Sequence, residues 1–191
     1  MQENHHYDII VIGSGPAGQK ATFQASKLKK QVALIEKLPR VGGASLHTGT
    51  IPSKSLRETV MHLSLLRQQT HGIEINLKEN LTTQELMYRK EIVILEQENS
   101  LRRNFEKNNI TVIEGTPRFQ STTTLEISPA DGSEAFEITA DYFIVATGSS
   151  PIRPSWAPFD NECVFDSDTI LNIKHIPKKV TIIGAGVIGC G

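Results

Sequence analysis

Tyr7-Asp8-Ile9-Ile10-Val11-Ile12-Gly13-Ser14-Gly15-Pro16-Ala17-Gly18, followed after a helix-length segment by Val32-Ala33-Leu34-Ile35-Glu36, is where the reading of this chain turns. An apolar β-branched run, a Gly-x-Gly-x-x-Gly turn, a helix and a second apolar run ending in an acid spell a mononucleotide-binding βαβ unit. Gly13 permits the tight turn, Gly15 lets the backbone approach a pyrophosphate, and Gly18 lets the helix pack closely on the strand. With Pro16 and Ala17, the helix start offers unpaired N–H groups and a positive dipole end to phosphate. Glu36, at the tip of the second strand, can accept hydrogen bonds from ribose hydroxyls. A glycine turn alone is weak; its flanking strands make it a dinucleotide site.

The whole chain sets the bounds. Its 191 residues suit one domain or slightly more. A net charge of −1 and scattered Lys and Arg point to no nucleic-acid surface and no disordered tail. The Lys27 to Lys30 cluster falls where a helix should end, which suits the macrodipole. No apolar run approaches the roughly 18 residues that span a bilayer. Ile9 to Ile12 is too short for a secretory signal, so no membrane is expected. His5-His6 reads as a loose terminus, not a metal pair, and no metal site is expected. Cys163 and Cys190 stand far apart in no Cys-x-x-Cys pattern, which argues for a reducing compartment, by default the cytoplasm.

The first helix, about Ala17 to Lys29, puts Ala17, Ala21, Ala25 and Leu28 on one stripe. Val32 to Ile35 lacks alternation, as a parallel strand buried on both faces should. Ser53 to His71 contains no glycine or proline, and Leu56, Val60, Leu63 and Arg67 recur at helical spacing, with Gly72 as the stop. Thr83 to Lys107 reads as a long, partly exposed helix. Thr111 to Glu114 reads as a returning strand closed by Gly115. Short β-prone pieces between Arg118 and Thr139, around Pro129-Ala130-Asp131-Gly132, suggest a small antiparallel meander. Tyr142-Phe143-Ile144-Val145-Ala146 is expected as another buried strand, ending at Thr147-Gly148-Ser149. Pro151, Pro154 and Pro158 then mark a linker.

Near the end, Lys179-Val180-Thr181-Ile182-Ile183 leads into Gly184-Ala185-Gly186-Val187-Ile188-Gly189, a second strand plus fingerprint. A dinucleotide site also needs the following helix and a selector residue about 20 positions on. The expectation is a fragment of a longer protein. The fold class is α/β: a Rossmann-like domain over 1–150 with a parallel sheet, helices and a meander, a linker over 151–178, and the truncated start of a second nucleotide-binding domain over 179–191.

The Gly13 to Gly18 turn with Glu36, the loop Gly42-Gly43-Ala44-Ser45-Leu46-His47-Thr48-Gly49-Thr50-Ile51-Pro52-Ser53-Lys54, Ala146-Thr147-Gly148 and the Gly184 to Gly189 fingerprint occur in this order. In this the chain resembles the pyridine nucleotide-disulfide oxidoreductases, over essentially its whole length. The resemblance implies that the first fingerprint binds FAD, that the second binds NAD(H) or NADP(H), and that the full-length parent is a homodimer. Disulfide reductases of that family carry a redox cysteine pair where this chain has Ser45 and Thr50. A hydroxyl cannot take part in thiol–disulfide exchange. Within the family the loop is most similar to that of the soluble pyridine nucleotide transhydrogenases, which share the His47 and Thr50 positions and Gly-Thr-Ile-Pro-Ser-Lys. They keep a lone cysteine where this chain has Ser45.

Site roles follow from that resemblance. Lys54 is expected near the flavin, where a cation favours the anionic reduced ring, with a solvated helix lysine as the other reading. The family's glutamate partner for this lysine falls at Gly191, so Lys54 is expected to lack its counter-charge. Thr50 would face the isoalloxazine. Glu36 and Lys37 belong to the ribose end, and Gly42, Gly43, Ala44 and Ser45 would follow the pyrophosphate and ribityl chain. Gly115 and Thr116 would lie by the adenine. Ala146, Thr147 and Gly148 are either an FAD contact or a strand end plus turn. His47 is either a polar neighbour of the flavin or a loop histidine making one hydrogen bond. Gly184, Gly186 and Gly189 belong to the nicotinamide nucleotide. The expected activity of the parent is hydride transfer between NADPH and NAD via FAD. The alternatives are a non-catalytic FAD-binding fragment, or a dihydrolipoamide dehydrogenase-like reductase that has lost its cysteines.

Overall fold

The computed structural model describes residues 5–68 and 82–190. The expected helix stop at His71 and Gly72 lies outside them. Packing divides the chain into two units, Met1–His47 with Leu95–Ser149, and Thr48–Ile94 with Ser150–Gly191.

In the first unit β1 (His6–Ile12) leads through the glycine turn into α1 (Pro16–Lys27) and back to β2 (Val32–Glu36). β1 lies between β2 and β5 (Phe136–Val145), parallel to both, and β2 pairs in parallel with β3 (Thr111–Phe119). Each of the two outer strands serves two partners. β3 is parallel to β2 up to Glu114, then turns antiparallel to β4 (Thr124–Pro129) from Gly115 to Phe119. β5 pairs with β4 from Phe136 to Thr139, and with β1 as far as Val145. The hydrogen bonds therefore close a circuit, β1-β2-β3-β4-β5.

That circuit explains why β2 is apolar from Val32 to Ile35. Ile10, Ile12, Ala33 and Ile35 point into the space shared with Leu125, Ile127, Ile138 and Ala140 of the meander. Val11, Val32 and Leu34 point the other way, onto Ala25, Val41, Phe105 and Ile110. A strand covered on both faces has no place for alternating polar residues.

Several expectations shift. On α1 the buried stripe is Gly18, Thr22 and Ala25, while Ala17 and Leu28 are exposed. Thr22 can be buried because its hydroxyl donates to Gly18 O at 2.7 Å. Gly115 does not end β3. It is the point where the strand passes from β2 to β4, and a Cβ there would meet Ile127 Cγ2 and Ser128 O, both at 2.7 Å. Tyr142 to Val145 is a strand but not a buried one: Tyr142 is 69% and Val145 64% exposed. The β4 ladder stops at Thr139, so beyond it β5 has a described partner strand on one edge only. His6 belongs to β1, where its ring bonds Thr139 Oγ1 at 3.0 Å.

α4 (Thr83–Lys107) has the expected limits. Its start is a reciprocal capping box: Glu85 N donates to Thr82 Oγ1, while Glu85 Oε2 accepts from Thr82 N at 3.0 Å. Its C-terminal end in the first unit is anchored by Phe105, stacked on Phe23 with ring centroids 5.2 Å apart.

In the second unit α3 (Thr50–Gln68) begins earlier than its sequence pattern suggests, with Pro52 in its first turn. Lys90 of α4 is buried and donates from Nζ to Leu171 O at 2.7 Å, in the short 3-10 turn Ile170–Asn172. The preceding segment folds on its own side chains. Asp160 Oδ1 accepts the amides of Glu162, Cys163 and Val164, which hold its carboxyl at about 2. Arg153 Nε donates to Asp166 Oδ2 at 2.6 Å. Lys179 to Ile183 is not a strand, and only the single turn α5 (Val187–Cys190) follows. Among the described residues this β-run pairs with no strand, which leaves its backbone groups to water, and Ile183 is 85% exposed.

Candidate nucleotide-binding site

The site forms where β1 and β2 end. Gly13 leaves β1 with φ +103°, and a Cβ there would sit 2.3 Å from Ala146 O. Gly13 N donates to Ile35 O at 2.8 Å and Ala146 N donates to Ile12 O at 2.8 Å. The tips of three parallel strands are thereby tied together. Gly15 caps α1 with no side-chain hydrogen bond and Pro16 follows, so the first turn of α1 keeps backbone donors free for an anion.

Glu36 is only 8% exposed and is heavily engaged. Its Oε2 accepts from Ser14 N at 3.0 Å and from Ser14 Oγ at 2.6 Å, and its Oε1 accepts from Leu38 N at 3.2 Å. Gly42 N in turn donates to Ser14 Oγ at 2.9 Å. Gly43, with φ +64°, lies so close that a Cβ would come within 2.6 Å of Gly15 Cα. The two glycine turns therefore touch backbone to backbone, and Gly43 opens the short helix α2 (Gly43–His47) carrying Ala44 and Ser45. Lys37 is exposed beside Glu36.

The loop between β2 and α2 is held by residues that sequence patterns did not single out. Glu98 Oε1 accepts from Val41 N at 3.3 Å, and Arg102 donates to Pro39 O at 2.9 Å and to Glu98 at 3.1 Å. The signal was present as an i,i+4 Glu–Arg pair on a long helix, indistinguishable in sequence from any solvated pair. His47 Nε2 donates to Val41 O at 2.8 Å, one hydrogen bond within the loop. Thr116 is exposed on β3, and Gly115 serves the β3–β4 crossing. Ala146 abuts Gly13, with Thr147 next to it and Gly148 in a left-handed turn.

Thr50 and Lys54 belong to the second unit. Lys54 is exposed, and its Nζ lies 3.9 Å from Glu58 Oε1 one helical turn on, so a counter-charge is present. Glu58 also faces Arg89 at 3.7 Å. Ser55, next to Lys54, buries a hydroxyl with no hydrogen-bond partner among the described residues. The second fingerprint repeats the first turn's geometry: Gly184 has φ +118°, and a Cβ on Gly189 would meet Gly184 O at 2.2 Å, as one on Gly18 would meet Gly13 O at 1.8 Å. Around it the chain is bare, with Val187 91% exposed.

The first-unit residues fit a dinucleotide such as FAD. An uncapped helix start, two glycine turns that touch because Gly43 has no room for a Cβ against Gly15, and an acid at the strand tip match a pyrophosphate and a ribose. The two cysteines, Cys163 and Cys190, are free and exposed, and neither lies in the Gly42 to Lys54 loop.

Comparison with known proteins agrees with this architecture. The family model described as pyridine nucleotide-disulphide oxidoreductase matches residues 7–191. Curated relatives include the soluble pyridine nucleotide transhydrogenase of Mycobacterium tuberculosis, 42% identical over 184 residues that make up 96% of this chain and 39% of the relative. That of Vibrio parahaemolyticus is 40% identical over 191 residues, 100% of this chain and 41% of the relative. Among solved structures, the HOCl-induced flavoprotein disulfide reductase RclA from Escherichia coli superimposes with a TM-score of 0.76 at 26% identity, over 96% of this chain and 38% of that one. The chain thus spans about two-fifths of the length of the relatives it matches. By its sequence and its fold, it belongs to the pyridine nucleotide-disulphide oxidoreductase family.

Proposed function

We propose that the first unit binds FAD, and that the parent protein is an FAD-dependent transhydrogenase passing hydride between NADPH and NAD. The observation that carries the FAD reading is the buried Ser14–Glu36–Gly42 network beneath an uncapped helix start. Gly13 to Gly18 and Gly42 to Ser45 would hold the pyrophosphate and ribityl chain, Glu36 with Lys37 the ribose, and Gly115, Thr116 and Ala146 to Gly148 the remainder. Lys54 and Thr50 would stand at the flavin ring. A bound flavin supplies two-electron chemistry with nicotinamides, which the protein side chains alone lack. The transhydrogenase reading is supported by Ser45 and Thr50 where a redox pair would stand, and by the relatives' names. The proposed domain division is 1–150, 151–178 and 179–191, the parent is a cytoplasmic homodimer, and Gly184, Gly186 and Gly189 serve its nicotinamide nucleotide.

The bare second fingerprint favours a second reading for the 191-residue chain itself: an FAD-binding unit without turnover. Two measurements test these readings. Flavin absorption bands on the purified chain after FAD addition and gel filtration report occupancy; a colourless protein refutes FAD binding. Hydride exchange from NADPH to an NAD analogue by the full-length protein reports the reaction; a flavin-loaded enzyme with no exchange refutes the transhydrogenase.

A further inference from the structure

We infer that Ser14 is a positioning residue of the nucleotide site, whose hydroxyl selects the oxygen of Glu36 that meets the nucleotide and locks the two glycine turns together. The inference rests on the FAD reading above and deepens it. Ser14 is fully buried. Its backbone N–H already donates to Glu36 Oε2, which is therefore an acceptor, so the hydroxyl proton also goes to Oε2 across 2.6 Å. The lone pairs of the Ser14 oxygen then receive the Gly42 amide at 2.9 Å. A carboxylate oxygen offers two lone pairs. Both on Oε2 are taken by Ser14, whereas Oε1 carries a single 3.2 Å bond from Leu38 N and keeps one lone pair open. Glu36 thus presents one acceptor to a ribose, from Oε1.

The same hydroxyl spans the junction where Gly15 and Gly43 touch without side chains. Gly42 is buried, so its N–H has no ready substitute partner in water. Replacing Ser14 with alanine removes two bonds at once, frees Oε2 to turn, and orphans the Gly42 amide.

The test combines amide exchange with flavin titration on the full chain, for wild type, Ser14→Ala, Ser14→Cys, Glu36→Gln and Ser14→Ala/Glu36→Gln. In the wild type the Gly42 amide should exchange slowly, and in Ser14→Ala at least about tenfold faster, with β2 amides unchanged. FAD affinity, read by quenching of flavin fluorescence, should fall on the order of ten- to a hundredfold in Ser14→Ala. Ser14→Cys, a weaker donor, should lie between. The double variant should lose less than the sum of the single losses, because both act through one contact. Wild-type FAD affinity in Ser14→Ala, or strictly additive losses, overturns the inference. A wild-type chain that fails to bind FAD refutes the FAD reading, and Gly42 exchange then decides the lock alone. If Ser14→Ala does not fold, a Gly42 amide in the wild type exchanging as fast as that of exposed Gly132 overturns the lock, and a protected one that loosens in Ser14→Cys upholds it.

Discussion

Ser14, Glu36 and Gly42 lie 22 and 28 positions apart from first to last partner, yet form one buried knot. Single atoms decide much at this scale. Gly13→Ala would place a methyl 2.3 Å from Ala146 O in a left-handed backbone. Its expected cost is on the order of 2–4 kcal/mol, read from the denaturant midpoint. Ser55→Ala should act the opposite way. It removes a buried hydroxyl that has no hydrogen-bond partner among the described residues, and stability should rise by about 1 kcal/mol; a loss of that size would reveal a partner. The glycine spacing and the terminal acid of β2 were legible in the sequence because local backbone geometry demands those residue types. The bracing by Glu98 and Arg102 was not, since an i,i+4 ion pair carries no mark of what lies beneath it.

Elements show a similar split. α4 announced its limits through an unbroken run of helix formers, and the structure added the capping box at its start. The buried face of α1 was placed correctly at Ala25 and missed at Gly18 and Thr22, because Thr22 hides its hydroxyl against its own helix and so behaves as an apolar residue. Phe105→Ala should unpin α4 from α1 at a cost of roughly 3–5 kcal/mol, measured by chemical denaturation. Lys90 yields a pH test within the second unit. Burial pushes its ammonium below the usual lysine value, with Glu91 acting weakly the other way. Between that lowered value and the ordinary one the unfolded chain holds the extra proton, so this site's contribution to stability rises with pH. Lys90→Met should lose about 1–3 kcal/mol at neutral pH by orphaning Leu171 O. The gap to wild type should widen on alkaline titration, and a gap that narrows would contradict the burial argument.

For the molecule as a whole, the first glycine turn lies between paired strands and a three-turn helix, while among the described residues the second is followed only by the single turn α5. FAD at about a hundred times its dissociation constant should stabilise the chain by about 2.7 kcal/mol. For a chain of this size that is a rise in Tm of about 5–10 °C. NADPH at the same concentration should leave Tm unchanged, because among the described residues the second fingerprint has a turn but neither strand nor long helix around it. An equal shift with NADPH would show that the second site works in this chain.

What the sequence determined by itself was chemistry that local geometry enforces: glycines where the backbone must turn or touch, an acid at a strand tip, hydroxyls in place of a redox pair, and a long helix marked by a run without breakers. Tertiary structure alone decided how β3 and β5 each serve two partners and close the sheet into a circuit, and why β5 stays exposed beyond Thr139. It alone brought Ser14 between Glu36 and Gly42. Strand pairing and long-range hydrogen bonds depend on which segments meet in space, and a run of β-branched residues looks the same in sequence whether or not a neighbour lies beside it.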